Sequence, residues 1–155
     1  MAYKVFISHN MNDEDTALIQ RASDQAKAAG IEFYIAEQDK KPGEPLSGKI
    51  EEAVKRCDCL VAFWTKGGAR SSFVSQEIGV AVGLRKPTLI VVEEGVPIEG
   101  FLVGRETIKL DRQNAWKAIG DLNASLAAKH AKKQFGTGIV IAASLAALLC
   151  ILCMK

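Results

Sequence analysis

Leu60-Val61-Ala62-Phe63-Trp64-Thr65-Lys66-Gly67-Gly68-Ala69-Arg70-Ser71-Ser72-Phe73-Val74-Ser75-Gln76-Glu77 is the stretch that decides the fold of this chain. The apolar run 60–64 predicts a buried strand, the small residues after it a loop, and the residues from Ser72 onward a helix start that carries Glu77. A strand that passes into a helix across a short loop is the repeating unit of an α/β sheet. In open sheets of that kind ligands bind outside the carboxyl ends of the strands. Glu77 is therefore expected to face the ligand crevice, beside helix amides whose partial positive charge suits an anion such as a phosphate. This arrangement suits an N-glycosidic bond attached to a phosphorylated sugar. It also suits a plain solvated helix end, where an acidic residue ordinarily serves only the helix dipole.

The flanking sequence repeats the alternation. Tyr3-Lys4-Val5-Phe6-Ile7-Ser8 reads as a first strand. Asn12 offers a helix cap, and Asp13, Glu14 and Asp15 favour a solvated first turn. That helix carries Leu18, Ile19, Ala22 and Ala26, and Gly30 ends it. Ile31-Glu32-Phe33-Tyr34-Ile35 is a second strand. Two prolines and a glycine make Lys40-Lys41-Pro42-Gly43-Glu44-Pro45 a loop. Ser47 can cap a helix with Ile50, Ala53, Val54 and Cys57 on one face. Beyond the helix of Glu77, the run Pro87-Thr88-Leu89-Ile90-Val91-Val92 predicts a central parallel strand. A fifth strand is expected over 105–110 and a last helix from Asn114 to about Lys133. Right-handed βαβ crossovers then give a doubly wound parallel sheet of five strands. No G-x-G-x-x-G follows the first strand, so a Rossmann dinucleotide site is not supported.

Of 155 residues, those at 135–154 include no charged side chain. Twenty residues at ~1.5 Å each span a hydrocarbon core, so this segment is read as a transmembrane helix. The formal net charge of +2 is unevenly placed, since Lys129, Lys132, Lys133 and Lys155 all follow residue 128 and no acidic residue does. The basic excess is thus expected to flank a membrane rather than to bind nucleic acid. The expected organisation is a domain at 1–128, a basic juxtamembrane linker at 129–134 and the span at 135–154. Three lysines on the domain side and only Lys155 beyond predict a single-pass, tail-anchored protein with its domain in the cytoplasm. Cys57 and Cys59 are expected to stay reduced, and Cys150 and Cys153 fall inside the span. His9 and His130 are too far apart in sequence to suggest a metal site, and His9 reads as a surface or strand-end histidine.

The strand end Phe6-Ile7-Ser8-His9, the loop Lys41-Pro42-Gly43-Glu44-Pro45 and the helix start Ser71-Ser72-Phe73-Val74-Ser75-Gln76-Glu77 occur in the order and at the spacing of the Toll/interleukin receptor (TIR) domain, which the chain resembles over roughly residues 2–111. The resemblance implies a flavodoxin-like fold. The TIR family contains scaffolds that only self-associate and enzymes that cleave NAD+ at the nicotinamide–ribosyl bond. The enzymes carry a glutamate after an S-x-x-x-x-E type pattern, matched here by Ser72 and Glu77. Phe73 and Val74 stand where many members have Trp and Cys, which keeps the apolar character.

The resemblance therefore implies Glu77 as the catalytic residue and NAD+ as a substrate, with no resident cofactor. It further implies apolar or stacking surface from Phe6 and Phe33, a polar contact from Ser8, a helix-cap hydroxyl from Ser72, and a pocket wall from Trp64. Self-association would use Lys41, Pro42, Gly43, Glu44 and Pro45 and would activate the enzyme. The expected partners are further copies, other TIR-domain proteins and the lipid bilayer, in signalling or immune defence. Two alternatives stand beside this reading. One is a non-enzymatic TIR scaffold in which Glu77 is structural. The other is an N-glycosidase similar to nucleoside deoxyribosyltransferases, which Glu77-Ile78-Gly79-Val80-Ala81 and Lys86-Pro87 also resemble.

Overall fold

The computed structural model describes residues 1–35 and 46–153, with side chains described for 1–35 and 48–136. Strand β1 (Tyr3–Ser8) leads to helix α1 (Asp13–Lys27), then β2 (Ile31–Ile35), α2 (Leu46–Arg56), β3 (Cys59–Trp64) and α3 (Ser72–Gly83). Strand β4 (Thr88–Glu93), strand β5 (Glu106–Leu110) and helix α4 (Ala115–Cys153) follow. The five strands form one sheet in the order β2-β1-β3-β4-β5, and every neighbouring pair is parallel. The doubly wound parallel sheet expected from the alternation is therefore present, and the chain reverses direction across the sheet between β1 and β3.

Residue alternation along the strands divides the core into two layers. Val5, Ile7, Val61, Phe63, Leu89 and Val91 pack with Leu18, Ile19 and Ala22 of α1 and with Ile119, Leu122 and Leu126 of α4. Phe6, Leu60, Ala62 and Ile90 pack with Ile50 and Val54 of α2 and with Val74, Ile78 and Ala81 of α3. All six residues of β4 are buried, as a strand covered on both faces requires. Each Leu, Ile or Phe removed from water in these layers stabilises the fold by about 1.5–3 kcal/mol before entropy is counted.

Local signals set the boundaries. The Asn12 side chain accepts the Asp15 amide at 2.7 Å and opens α1. After α1, Gly30 turns the chain into β2 with φ +71°, and a Cβ there would lie 3.2 Å from Cε1 of His130. His130 belongs to the part of α4 that rests on the amino-terminal edge of the sheet. Its Nδ1 lies 3.1 Å from the Ala29 carbonyl, and its ring sits against Tyr3. Lys129 pairs with Glu106 and Lys133 with Asp58, each at 2.6 Å. Residues 129–133 lie within α4, as the expected last helix to about Lys133 implies, and Lys129, His130 and Lys133 contact the domain.

The helix is interrupted at Gly136, whose φ and ψ are 74° and 171°. The side chains of the expected transmembrane segment lie, beyond residue 136, outside the described residues. Among the described residues no helix is long and apolar enough to cross a membrane. The loop at 41–45 read as a self-association surface likewise falls outside the described residues.

Candidate active site

In an open parallel sheet the crevice lies at the carboxyl ends of the strands where the chain reverses, here β1 and β3. Phe6 and Ser8 come from β1, and Ala62 and Trp64 from β3, with Ser8 in register with Ala62. Phe6 is fully buried beneath them. Ser8 is fully buried too, and its Oγ has no hydrogen-bond partner among the described residues. A buried hydroxyl left without a partner costs about 1–3 kcal/mol.

Helix α3 delivers Glu77. Its cap is Ser71, whose Oγ accepts the Val74 amide at 3.4 Å. Ser72, expected as the cap, is instead the exposed first residue of the helix. Val74, Glu77, Ile78 and Ala81 are the buried residues of α3, so Glu77 shares the face that packs on the sheet. Glu77 is only 9% exposed. A carboxylate serving the helix dipole alone acts within the first turn. Glu77 sits in the second turn and is buried. Its burial on the sheet-facing side separates it from an ordinary helix-end acid.

The aromatic residues divide differently from the expectation. Phe33 packs with the α1 and α4 layer, on the sheet face opposite Phe6 and α3. Tyr34 stands where Phe33 was expected. It pairs with Phe6 in register, and their rings lie 5.7 Å apart at 41°. Parity explains the difference, because a one-residue shift along a strand moves a side chain to the other face. Trp64 joins the α2 and α3 layer, half-buried, and its indole N–H donates to the Pro97 carbonyl at 3.0 Å. The structure therefore gathers Phe6, Ser8, Tyr34 and Trp64 on the sheet face that α3 covers with Glu77.

A second polar assembly lies at the same end of the sheet, and sequence reading missed it. Asp15, expected on a solvated helix start, is fully buried. Its Oδ1 accepts Arg112 Nη2 at 2.6 Å, and its Oδ2 accepts Thr65 Oγ1 and Asn12 Nδ2 at 2.8 Å. Arg112 also pairs through Nε with Glu93 Oε1 at 3.2 Å. The Lys66 amide donates to Glu93 Oε2 at 2.9 Å. Residues 15, 65, 93 and 112 are too widely separated in sequence for any local pattern to link them. His9, read as a surface or strand-end residue, is also buried. Among the described residues no three His, Cys, Asp or Glu side chains are grouped to hold a metal ion.

Burial raises the Glu93 carboxyl, but hydrogen bonds from Arg112 and the Lys66 amide outweigh it and hold the group below its ordinary value of 4.5. A carboxyl depressed in the folded state stabilises fully above its unfolded value, and that contribution disappears as pH falls through the folded value. The thermal midpoint should accordingly drop as the solution is acidified below pH 4.5. Glu93→Gln should show a shallower drop, measured by circular dichroism melts across pH 2–7. An equal acid slope in both proteins would remove Glu93 as a source.

The loop joining β3 to α3 is packed as tightly as a core. A Cβ on Gly68 would fall 2.1 Å from the Phe63 carbonyl oxygen, and one on Gly67 would fall 2.7 Å from Asn10 Nδ2. Gly68→Ala must displace backbone and is expected to cost at least about 1–3 kcal/mol, read from denaturant midpoints. Gly79→Ala is the control, because nothing lies within 4 Å of the added methyl.

Residues 5–122 match the sequence profile of the TIR domain. A probable 2' cyclic ADP-D-ribose synthase from Brachypodium distachyon, BdTIR, is 26% identical over 100 residues, covering 64% of this chain and 45% of that protein. The chain thus spans less than half the length of this curated relative. The TIR domain of the Toll-related receptor TRR-2 from Hydra magnipapillata superposes with a TM-score of 0.64 at 13% identity, covering 81% of this chain and 98% of that one. A 2-deoxyribosyltransferase from Bacillus psychrosaccharolyticus superposes with a TM-score of 0.61 at 14% identity, covering 79% and 95%. At such identities the two structures speak to the fold alone.

Proposed function

The chain belongs to the TIR-domain family, and from that premise we propose that it is a NAD+ nucleosidase whose catalytic carboxylate is Glu77. The observation that carries this reading is the burial of Glu77 on the sheet-facing side of α3. The similarity to a probable 2' cyclic ADP-D-ribose synthase supports the same chemistry.

The nicotinamide ring of NAD+ is already cationic, so it leaves without a general acid. When the bond from the ribose anomeric carbon to the ring nitrogen breaks, the electron pair goes to that nitrogen and neutralises it. Positive charge then develops on the ribosyl carbon and ring oxygen, as in glycoside hydrolysis. A preorganised anion beside that charge lowers the barrier, which is the role of Glu77. Its oxygens also suit hydrogen bonds from the ribose hydroxyls. Tyr34, partly exposed above the buried Phe6, offers an aromatic wall to the same substrate, and the Ser8 hydroxyl lies buried beneath. Water capturing the cation and losing a proton gives ADP-ribose, whereas capture by a group within ADP-ribose gives a cyclic form.

The proposal extends to the setting. Self-association through the 41–45 loop would activate the enzyme, and the apolar segment 135–154 would hold its domains at a membrane facing the cytoplasm. A tether to two dimensions raises effective concentration without new contacts. Such an arrangement fits signalling or immune defence.

The test is NAD+ consumption by the full chain in liposomes beside Glu77→Ala at equal density, with nicotinamide, ADP-ribose and cyclic products resolved. Loss of nicotinamide release in the variant is the expected result. No release by either protein at any density, while both assemble on the membrane, would instead favour a scaffold.

A further inference from the structure

We infer that the Asp15–Arg112–Glu93 assembly is a positioning device that sets the β3–α3 loop and, through it, the placement of Glu77. The inference rests on the catalytic reading of Glu77 for its activity readout, and on loop geometry for the rest.

Carboxylates from two separate elements, bridged by an arginine from a third, hold Thr65 and Lys66 at the start of the loop. Asp15 from α1 accepts the Thr65 hydroxyl at 2.8 Å, and that hydroxyl oxygen accepts the Gly68 amide at 3.1 Å. Glu93 at the end of β4 accepts the Lys66 amide at 2.9 Å. Arg112, in the turn before α4, holds both carboxylates, Asp15 at 2.6 Å and Glu93 at 3.2 Å. The loop also closes on itself, with the Ala69 amide on the Thr65 carbonyl at 2.8 Å and the Ser71 amide on the Gly68 carbonyl at 3.0 Å. It ends at Ser71, the cap that fixes where α3 starts. Glu77 follows six residues later on the same rigid helix, so a change in the loop is carried to the carboxylate.

Thr65 is the junction. It is fully buried and joins the ion cluster to the loop backbone through one oxygen. A buried ion cluster contributes little net stability compared with packed apolar side chains. What it supplies here is direction, because each carboxylate oxygen aims at a specific donor. That is the requirement of a catalytic group, for which a misplacement of about 1 Å can cost about a hundredfold in rate.

The test compares Thr65→Val with Thr65→Ser in the full chain, using nicotinamide release and amide hydrogen exchange. Valine keeps the shape and removes the hydroxyl, whereas serine restores it. Thr65→Val should lower kcat about 10- to 100-fold with KM within about twofold, and Thr65→Ser should recover wild-type kcat within about threefold. Exchange at the Gly68 and Ser71 amides should accelerate in the valine variant alone. Wild-type kcat in Thr65→Val would overturn the inference, as would a kcat loss that serine does not rescue. If the wild-type protein releases no nicotinamide, the catalytic reading fails, and exchange then decides the positioning role separately. Faster exchange extending from residue 66 to 77 in Thr65→Val alone supports it, and unchanged exchange overturns it.

Discussion

Glu77→Ala is expected to lower nicotinamide release by about a hundredfold to a thousandfold, the scale of losing one preorganised electrostatic group. The fold should survive the change. Val74, Ile78 and Ala81 are the other buried residues of α3, and alanine suits that apolar face. Thermal melts of Glu77→Ala beside the wild-type protein separate a loss of catalysis from a loss of fold. Glu77→Gln isolates the cause, since it keeps the shape and hydrogen-bonding capacity but not the charge. If the anion stabilises a ribosyl cation, glutamine should be nearly as inactive as alanine. If the carboxylate only accepts hydrogen bonds from the ribose, glutamine should retain much of the rate. Steady-state nicotinamide release by the three proteins at equal surface density distinguishes these outcomes. Full activity in Glu77→Ala would return the residue to a structural role.

Arg112→Met is expected to have the largest effect on stability. It leaves Asp15, fully buried, and Glu93, nearly so, with no guanidinium between them. Breaking a buried pair by removing one partner costs about 3–5 kcal/mol, because a charge stays behind without compensation. Each kcal/mol moves the midpoint of a domain this size by about 2–4 °C, so a fall of roughly 6–20 °C is expected. Replacing all three groups together by apolar residues of similar volume should recover most of that loss. Thermal melts of the single and triple variants at neutral pH test both statements. A triple variant as unstable as Arg112→Met would show that the cluster stabilises by more than compensating its own charges. The triple variant should still be catalytically impaired if the cluster positions the loop, which separates stability from placement.

The strand–helix order was legible because each element carries a local signal. The run ending at Trp64 and the run beginning at Pro87 are apolar but for Thr88, and both became strands covered on two faces. Asn12 capped α1 as its position suggested. The cap of α3 was missed by one residue because Ser71 and Ser72 carry the same side chain, and only the backbone shows which leaves the helix. Burial of Asp15 was illegible for another reason. Three acids in a row at a helix start look alike in sequence, and Asp15 alone turns inward because Arg112, 97 residues later, awaits it.

The sequence by itself determined the order of elements, the parallel sheet they build and the placement of Glu77 on the helix after β3, since these follow from apolar runs and short-range spacing. The tertiary structure alone decided which side chains share a face. It put Tyr34 rather than Phe33 beside Phe6. It buried Glu77 and Asp15, and it joined Asp15, Thr65, Glu93 and Arg112 into one assembly. The physical reason is that pleat parity between paired strands depends on register, and register depends on contacts between residues far apart in the chain. Desolvation and ion pairing depend on those same distant contacts, so no window of neighbouring residues contains them.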